Sequence, residues 1–477
     1  MLYTPHALTY RRRVLPDGGV VATASTGDFA VFEADEFEIF ATSPAKLSLI
    51  RQAELRAKFL LGDKQPSEGM RRLMASRIAM KREVGSSGPS LHIIVPTLQC
   101  AHSCQYCQVS RSLDDQGHTM SIVDLDAACD TVLQSSAPSL TIEFQGGDPL
   151  LRFDLVKRAV LRIHAAAGSG RRIRFVVAST LHQLDGEMCD FFKANGVYLS
   201  TSIDGPQKLH NFNRPIPGRN AYERTLAGIA LARERIGSDS VSALMTTTKA
   251  SLAFPEDIVD EYVRQGFREI FLRPLSSYGF AKRNQQLLGY STDDFLRFYE
   301  RGLKRVIHWA EQGVEIREVY ASILLNKMLS TFDAGYVDLQ SPTGAGSSVL
   351  VYNYDGFVYP SDEARMLAET GDHSLRMGRI GSSLEELLNS PVRRQLIEAS
   401  DVDRVEHCRD CAYNTYCAPN PVDALAQHGV LSVPAHLTEH CQRHMRLFDT
   451  AFMAVRSADE QALARMQAWA QPVVTEM

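Results

Sequence analysis

The 477-residue sequence lacks any apolar run that approaches the 18 residues of a membrane-spanning helix, so no membrane partner is expected. Residues 1–14 contain three consecutive arginines, Arg11 to Arg13, but no apolar segment follows them, which argues against secretion and predicts a cytoplasmic protein. The formal net charge is only −5, so nucleic acid is not an expected partner. Hydrophobic residues make up 44% of the chain, which is ordinary for a globular protein, and the length predicts about three domains.

Cysteine is scarce, and its count is odd. Nine cysteines in an apparently cytosolic chain do not suit a disulfide framework and point to metal binding or catalysis. Seven of the nine fall into two groups: Cys100, Cys104 and Cys107, and then Cys408, Cys411, Cys417 and Cys441. Cys129 and Cys189 lie on predicted helices and are expected only to pack.

Short apolar strands alternate with helical stretches from residue 90 onward, which predicts βαβ units and an α/β fold. Six strands over about 185 residues fit a partial barrel better than a closed eight-stranded one. The predicted strands are 91–95, 140–144, 173–178, 197–202, 241–246 and 270–273, with helices at 122–135, 154–167, 186–195, 222–235 and 256–265.

Four segments are predicted along the chain. Residues 1–85 form a small α+β unit with a hairpin at 20–24 and 29–32, and residues 86–335 form the partial barrel. A loop-rich domain follows at 336–447, and residues 448–477 form a helical tail. The first unit is either a leader-peptide binder, because an extended peptide can add to a hairpin edge, or a cap on the barrel.

The first cysteine group follows the first barrel strand with the spacing Cys-x3-Cys-x2-Cys. Barrel active sites lie at the carboxyl ends of strands, and three thiolates can hold three irons of a cubane while the fourth iron stays open. This loop, with Tyr106 just before Cys107, resembles that of the radical S-adenosylmethionine (SAM) superfamily. The resemblance implies a partial (β/α)6 TIM-type barrel and a [4Fe–4S] cluster whose open iron binds S-adenosylmethionine. It also implies an enzyme that forms a 5′-deoxyadenosyl radical.

Further motifs carry this resemblance past the cysteine loop. Gly146-Gly147-Asp148-Pro149 is similar to the Gly-Gly-Glu-Pro segment of the family, which contacts the methionine ammonium. Asp148 is one methylene shorter than that Glu, so this contact is expected to use mainly backbone. The resemblance implies that polar groups at the strand ends also bind the cofactor: Tyr106, Ser179, Thr180, Ser202, Asp204 and Arg273. Asp204 is equally consistent with an ordinary turn residue.

The second cysteine group resembles the C-terminal extension called SPASM, which is found in peptide-modifying radical enzymes. The resemblance implies one auxiliary [4Fe–4S] cluster at Cys408, Cys411, Cys417 and Cys441, although four thiolates also suit zinc. A second auxiliary cluster would need cysteines near Thr343, at Ser361 and near Asn420 or Pro421, and none is present. The sequence therefore predicts one auxiliary cluster rather than two.

Asp362 lies where related sulfatase maturases place a proposed base, so the resemblance implies that it takes a proton from the substrate, with Glu363 beside it as a substitute. A surface acid pair is the alternative. The segments 55–61, 90–111 and 361–367 resemble the B-type maturase of the His-Xaa-Ser system.

The implied function is therefore oxidative modification of a ribosomally made precursor peptide, a crosslink for example, with flavodoxin or ferredoxin as the electron donor. Two alternatives stay open. One is formylglycine formation of the anaerobic sulfatase-maturase type, and the other is a non-catalytic partner that presents a peptide.

Overall fold

This computed structural model describes residues 5–82, 88–109, 111–114, 116–167, 170–276, 278–332 and 335–471. The chain divides into two compact units. Unit 1 comprises residues 1–84, 321–344 and 397–477, and unit 2 comprises residues 85–320 and 345–396. The predicted boundary at residues 85 and 86 and the end of the predicted tail at 472–477 lie outside the described residues.

The strands of the described chain are β1 His6–Ala7, β2 Tyr10–Val14, β3 Val20–Ala24, β4 Phe29–Phe32, β5 Leu61–Gly62, β6 Leu91–Thr97, β7 Ser139–Gly146, β8 Arg172–Ala178, β9 Val197–Ser202, β10 Val241–Leu244, β11 Glu269–Ile270, β12 Arg317–Glu318, β13 Val349–Tyr352, β14 Phe357–Tyr359 and β15 Gly378–Arg379.

The α-helices are α1 Ala34–Thr42, α2 Leu49–Ala57, α3 Glu68–Lys81, α4 Ile122–Leu133, α5 Phe153–Ala166, α6 Gly186–Ala194, α7 Gln207–Asn213, α8 Ala221–Arg235, α9 Pro255–Arg264, α10 Gly279–Arg283, α11 Gln285–Leu288, α12 Thr292–Glu311, α13 Val319–Leu329, α14 Asp362–Ala368, α15 Leu384–Leu388, α16 Pro391–Ser400, α17 Pro421–His428, α18 Glu439–Ser457 and α19 Glu460–Trp469. Within the part of the chain that the structure describes, no helix is both long and apolar enough to cross a membrane.

Unit 2 is built on an eight-stranded sheet in the order β10-β9-β8-β7-β6-β13-β14-β15. The pairs from β10 through β6 to β13 are parallel, whereas β14 and β15 pair antiparallel. Helices connect the consecutive strands β6 to β10, which gives the predicted α/β partial barrel with the ends of five parallel strands at one edge. Five of the six predicted strands are therefore confirmed.

The prediction of a sixth barrel strand at 270–273 was wrong. Only Glu269–Ile270 is strand, and it pairs with β12 in a separate two-stranded parallel sheet. The backbone beyond it finds other partners, because the Leu272 amide donates to the buried Glu318 carboxylate at 3.1 Å. The sixth parallel strand of the sheet is instead β13, which pairs with β6 at the opposite edge.

The N-terminal part of unit 1 is a three-stranded antiparallel sheet in the order β2-β3-β4. The predicted hairpin is confirmed, with Val20 opposite Phe32 and Thr23 opposite Phe29. Its core contains aromatic side chains from β4 and α1, including Phe32 stacked on Phe40 with ring centres 4.9 Å apart. Burial of this apolar face explains why a sheet of such short strands is stable.

Candidate active site

A cavity of about 220 Å³ lies in unit 2 at the carboxyl ends of the barrel strands. Most of the cofactor-binding and metal-binding residues that the sequence predicted for the barrel line it, namely Cys100, Cys104, Tyr106, Cys107, Gly146, Gly147, Ser179, Thr180, Ser202 and Arg273, and so does Asp362. Four predicted residues do not line it: Asp148, Pro149, Asp204 and Glu363. The topology therefore brings together motifs that are spread over 260 residues of sequence.

The three-cysteine loop is fixed by backbone hydrogen bonds at each end. The Cys100 amide donates to the Ser112 carbonyl at 3.0 Å, and the Phe280 amide donates to the Cys107 carbonyl at 2.9 Å. Burial raises the pKa of the Cys104 thiol to about 12. Burial, the Asp148 carboxylate and the two neighbouring thiols also raise the pKa of Cys100. Cys100 and Cys104 are therefore neutral thiols that must release protons when iron binds.

The donor set consists of three thiols around one cavity, which is the kind of donor set that an iron–sulfur cluster takes. Among the described residues, no group of three or more His, Cys, Asp or Glu side chains is spaced to hold one ion. Four thiolates on one zinc lie only about 3.8 Å apart, since each Zn–S bond is about 2.3 Å and the geometry is tetrahedral. Cysteines on a cubane bind different irons at its corners, so they stand further apart around a shared cavity. Cys100, Cys104 and Cys107 all line one cavity.

The glycine pair after β7 closes one wall of the cavity with bare backbone. Gly146 has φ +124°, which favours glycine. A Cβ on Gly147 would lie 2.2 Å from the Gln99 carbonyl oxygen. The Gly147 amide donates to Thr97 and the Asp148 amide to Gln99, at 2.9 and 2.7 Å. These contacts join the glycine segment to the strand end that carries Cys100.

Asp148 lies behind the cavity wall rather than in it. Its fully buried carboxylate accepts the hydroxyl hydrogens of Ser179 at 2.6 Å and Thr180 at 2.5 Å. It also accepts the Leu150 amide at 3.2 Å, at the start of the short 3-10 helix that Pro149 begins. Burial raises the pKa of Asp148, and the two hydroxyls oppose that rise. In this arrangement the carboxylate orients the hydroxyl-bearing wall residues from behind.

Asp204 plays the same part on the other side of the cysteine loop. Its buried carboxylate accepts the Tyr106 hydroxyl at 2.7 Å and the Arg214 Nε–H at 3.1 Å. Burial opposes the charge of Arg214, but Asp204 and Tyr106 outweigh it and raise the pKa of Arg214 well above its usual range. The Ser103 amide also donates to the Pro215 carbonyl at 2.9 Å. The turn that contains Asp204 therefore anchors the loop.

Asp362 enters the cavity from the first turn of α14. Ser361 caps this helix by accepting the Ala364 amide at 3.2 Å, and the Asp362 side chain is 15% exposed. The Asp362 Oδ1 atom lies 2.8 Å from Arg365 Nε and 2.7 Å from Arg365 Nη2. Arg365 is fully buried, so Asp362 is the acidic partner of a buried guanidinium.

Sequence reasoning missed Glu143, which lies on β7 two residues before Gln145. Burial and the Asp362 charge raise the pKa of Glu143 to about 7, against the opposing effect of Arg273 and Arg174. The signal was the alternation of Thr141, Glu143 and Gln145 with buried apolar residues along the strand. Such polar positions face solvent in an ordinary sheet but face the interior in a barrel.

The second cysteine group lines a cavity of about 660 Å³ in unit 1, to which Cys408, Cys411, Cys417 and Cys441 all contribute. The Cys411 amide donates to the Cys408 carbonyl at 3.2 Å, and Cys441 lies in the first turn of α18. Burial and the neighbouring thiols raise the pKa of Cys408 to about 12. As in the barrel, the thiols share a cavity without the spacing of a single-ion site.

The positions where the second auxiliary cluster would need cysteines serve local structure instead. Ser361 caps α14, and Asn420 caps α17 by accepting the Asp423 amide at 3.1 Å. Thr343 does not cap a helix, but its backbone amide donates a hydrogen bond to the Ser400 hydroxyl at 2.8 Å. Each of these residues therefore has a hydrogen-bonding role that a cluster ligand would not fill.

Comparison with known proteins agrees with this geometry. Residues 94–270 match the Radical SAM superfamily. The matched stretch of the chain is similar to a radical SAM domain. The sequence prediction of a radical SAM enzyme is thus confirmed at the level of the superfamily.

Solved structures share the fold at low sequence identity. A structure of native anSMEcpe with bound AdoMet and the Kp18Cys peptide superposes with a TM-score of 0.65 at 16% identity, over 80% of this chain and 100% of that one. Streptococcus suis SuiB bound to the precursor peptide SuiA gives a TM-score of 0.55 at 14% identity, over 92% of this chain and 100% of that one.

Curated relatives are also distant. An uncharacterised protein of Archaeoglobus fulgidus is 22% identical over 78% of this chain and 84% of its own length. The serine-type anaerobic sulfatase-maturating enzyme of Bacteroides thetaiotaomicron is 25% identical over 28% of this chain and 34% of its own length.

Proposed function

We propose that this protein is a radical SAM maturase that oxidatively modifies a ribosomally made peptide, with a His-Xaa-Ser repeat peptide as its substrate. The observation that carries the proposal is the shared cavity of the three-cysteine loop, the glycine backbone and Asp362. Two solved proteins with this fold are named with bound peptides, which supports a peptide as the substrate class.

Bound at this site, a [4Fe–4S] cluster and S-adenosylmethionine would supply the 5′-deoxyadenosyl radical that takes hydrogen from the peptide. Cys100, Cys104 and Cys107 would hold the cluster, with the backbone of Gly146 and Gly147 against the cofactor. The hydroxyls of Ser179, Thr180 and Ser202 and the guanidinium of Arg273 line the same cavity and would orient the cofactor.

Oxidation of a carbon-centred radical requires the loss of one electron and one proton. Asp362 is the proposed proton acceptor, because its carboxyl group lines the cavity and is held there by its contact with Arg365. Glu363 does not line the cavity and is the weaker candidate. The proposed electron acceptor is an auxiliary [4Fe–4S] cluster at Cys408, Cys411, Cys417 and Cys441, and a flavodoxin or ferredoxin is the proposed reductant.

The first test is anaerobic incubation of the reconstituted protein with dithionite and S-adenosylmethionine, with 5′-deoxyadenosine measured by chromatography. Wild type is expected to form it, and Cys100→Ala is expected to abolish it because one cluster ligand is lost. Cys189→Ala is the matched control, since Cys189 is buried on α6 and lines neither cysteine cavity. Absence of 5′-deoxyadenosine in wild type contradicts the enzyme proposal.

The second test is mass spectrometry of a co-expressed His-Xaa-Ser repeat peptide. A crosslink removes the mass of two hydrogen atoms, and an unchanged peptide argues against this substrate. Asp362→Asn is expected to lower product formation more than 5′-deoxyadenosine formation, because hydrogen abstraction precedes proton loss.

Formylglycine formation is the second candidate, because of the similarity to the Bacteroides thetaiotaomicron sulfatase-maturating enzyme. Conversion of serine to formylglycine also removes two hydrogens, so mass alone does not separate it from a crosslink. A hydrazide probe does, since only the aldehyde product reacts. Hydrazide labelling of the modified peptide would replace the crosslink proposal with this one.

The N-terminal sheet is the proposed leader-peptide binder, with an edge strand as the docking place. Its β4 edge is partly occupied, because Arg51 Nη2 donates to the Val31 carbonyl at 2.8 Å. A leader that adds to this edge must displace that contact, so Arg51→Ala is expected to tighten leader binding in a fluorescence anisotropy titration.

A further inference from the structure

The charged side chains that line the cavity of the three-cysteine loop do not cancel one another. They are Arg111, Arg214, Arg273 and Asp362. Arg214 is paired with the buried Asp204 carboxylate at 3.1 Å, and Asp362 is paired with Arg365 at 2.7 Å. The guanidinium groups of Arg111 and Arg273 make no hydrogen bond or ion pair with any residue in the described ranges. The cavity wall therefore carries two positive charges without a counter-charge from described residues.

Arg111 is held at this wall by the loop that follows Cys107. The Phe280 amide donates to the Cys107 carbonyl at 2.9 Å, and a Cβ on Gly279 would lie 2.3 Å from the Gln108 carbonyl oxygen. The start of α10 is thus packed directly on the loop. The guanidinium carbon of Arg111 lies 5.5 Å from the centre of the Phe280 ring. This cation–π contact positions the side chain but does not neutralise its charge.

Two polar atoms on the same loop are buried without a partner. Arg111 Nε and Gln108 Oε1 are shielded from solvent, and neither has a hydrogen-bond partner in the part of the chain that the structure describes. Gln108 also lines the cavity. Buried polar groups in native proteins almost always have partners, so these two atoms are expected to meet a bound group. A guanidinium N–H needs an acceptor and an amide oxygen needs a donor, and a peptide that carries a carboxylate supplies both.

The cofactors implied at this site do not account for both free arginines. An oxidised four-iron core bound by three thiolates carries one negative charge, and S-adenosylmethionine carries one net positive charge, so together they add none. S-adenosylmethionine has a single carboxylate, and Arg273 is already among the groups proposed to orient that cofactor. Glu143 does not line the cavity and supplies at most one further negative charge. Arg111 is therefore available to a substrate.

We propose that Arg111 binds a carboxylate of the peptide substrate and so selects peptides with an acidic group beside the residue that is modified. A guanidinium donates two parallel N–H bonds to a carboxylate, which gives this pairing both strength and geometric specificity. The carboxylate belongs to an acidic side chain or to the C-terminus of the peptide. The inference rests on the proposed function, because it requires a peptide in this cavity.

Binding of four synthetic peptides tests whether a carboxylate is recognised and from which source. All four are His-Xaa-Ser repeats with a fluorophore at the N-terminus, with Asp or Asn as Xaa and with a free or an amidated C-terminus. Affinity is measured by fluorescence anisotropy on the reconstituted protein with S-adenosylmethionine and without a reductant, so that no turnover occurs. Wild type is expected to bind the peptide with the recognised carboxylate about tenfold or more tightly than its neutral counterpart. A preference for Asp over Asn assigns the side chain, and a preference for the free over the amidated end assigns the C-terminus.

Variants of two arginines on one aromatic ring locate the contact. Arg111→Gln is expected to lose the preference, because the guanidinium is gone, and Arg111→Lys is expected to retain part of it through its charge. Arg283→Gln is the matched control. Arg283 also lies over the Phe280 ring, at 5.4 Å, but it is exposed and does not line the cavity. This control is expected to keep the wild-type preference.

The possible results separate this inference from the proposed function. Equal affinities of wild type for the acidic and the neutral peptides overturn the inference and leave the peptide as substrate. A preference that survives in Arg111→Gln also overturns it, since another group then binds the carboxylate. So does an equal loss in Arg111→Gln and Arg283→Gln, which reports overall charge rather than a contact. If wild type binds none of the four peptides, the proposed substrate fails and the inference fails with it.

Discussion

Three carboxyl groups behind or beside the barrel cavity show how differently one residue type is used. Asp148 is satisfied by two hydroxyls, and Asp204 by a tyrosine hydroxyl and Arg214. Glu143 makes no hydrogen bond or ion pair with any residue that the structure describes, and burial together with the Asp362 charge raises its pKa. The first two therefore fix the wall, because buried carboxylates with full hydrogen bonding are rigid anchors. Glu143 is buried without such partners, which disfavours its ionised form, and a pKa perturbed in this way is typical of a functional position.

The raised pKa of Glu143 leads to a prediction for the stability of Glu143→Gln. The folded protein holds the Glu143 proton up to about pH 7, compared with 4.5 for an ordinary glutamate. Its stabilising contribution is therefore present below pH 4.5 and is lost as pH rises through about 7. Gln does not ionise and therefore does not lose this contribution at high pH. The free energy of unfolding of the variant is expected to be about 1–3 kcal/mol larger than that of wild type at pH 8 and nearly equal to it at pH 4.5.

Urea unfolding of both proteins at the two pH values measures that difference. Glu187→Gln, on the exposed side of α6, is the matched control and should show no such pH-dependent gain. An equal effect of Glu143→Gln at both pH values is the contrary result.

At the scale of elements, the cavity depends on the close approach of two strand ends. The Gly147 segment and the Gln99 segment touch through backbone atoms, so neither side can yield to a larger residue. Gly147→Ala is expected to destabilise the fold by about 1–3 kcal/mol and to displace the Cys100 loop. Calorimetry and iron analysis after reconstitution measure the two effects.

Gly170→Ala is the control for that substitution, because a Cβ there meets nothing within 4 Å. If Gly147→Ala binds as much iron as wild type and is equally stable, the prediction is wrong, because the two strand ends can then separate without loss of stability or of metal binding.

Local sequence signals predicted most elements but not every partner. The apolar runs at 91–95 and 173–178 mark strands because burial and β-branching act locally. The local sequence of Val349–Tyr352 does not predict that this strand pairs with β6, some 250 residues earlier, because strand pairing depends on the whole sheet. The cysteine loop was predictable from spacing alone, whereas Glu143 was not, because its surroundings come from three other elements.

At the scale of the whole molecule, the two cysteine groups belong to different compact units. The loss of one group is therefore expected to leave the other able to load. Wild type is expected to bind about eight irons per chain after reconstitution, and Cys100→Ala or Cys408→Ala about four. Metal analysis with sulfide determination checks these values, and about four irons plus one zinc in wild type contradicts the auxiliary cluster.

Unit 1 is assembled from three separate stretches of chain, with the barrel segments between them. During synthesis, residues 1–84 emerge first but lack Tyr413 and Phe452, which pack with rings 5.3 Å apart in the same unit. The barrel strands β6 to β10 emerge before the stretch that carries the second cysteine group. Because domains fold as their chain is completed, the first cysteine group becomes available to the iron–sulfur assembly machinery before the second. The proposed clusters are therefore expected to load in the order in which the chain segments that hold them are synthesised.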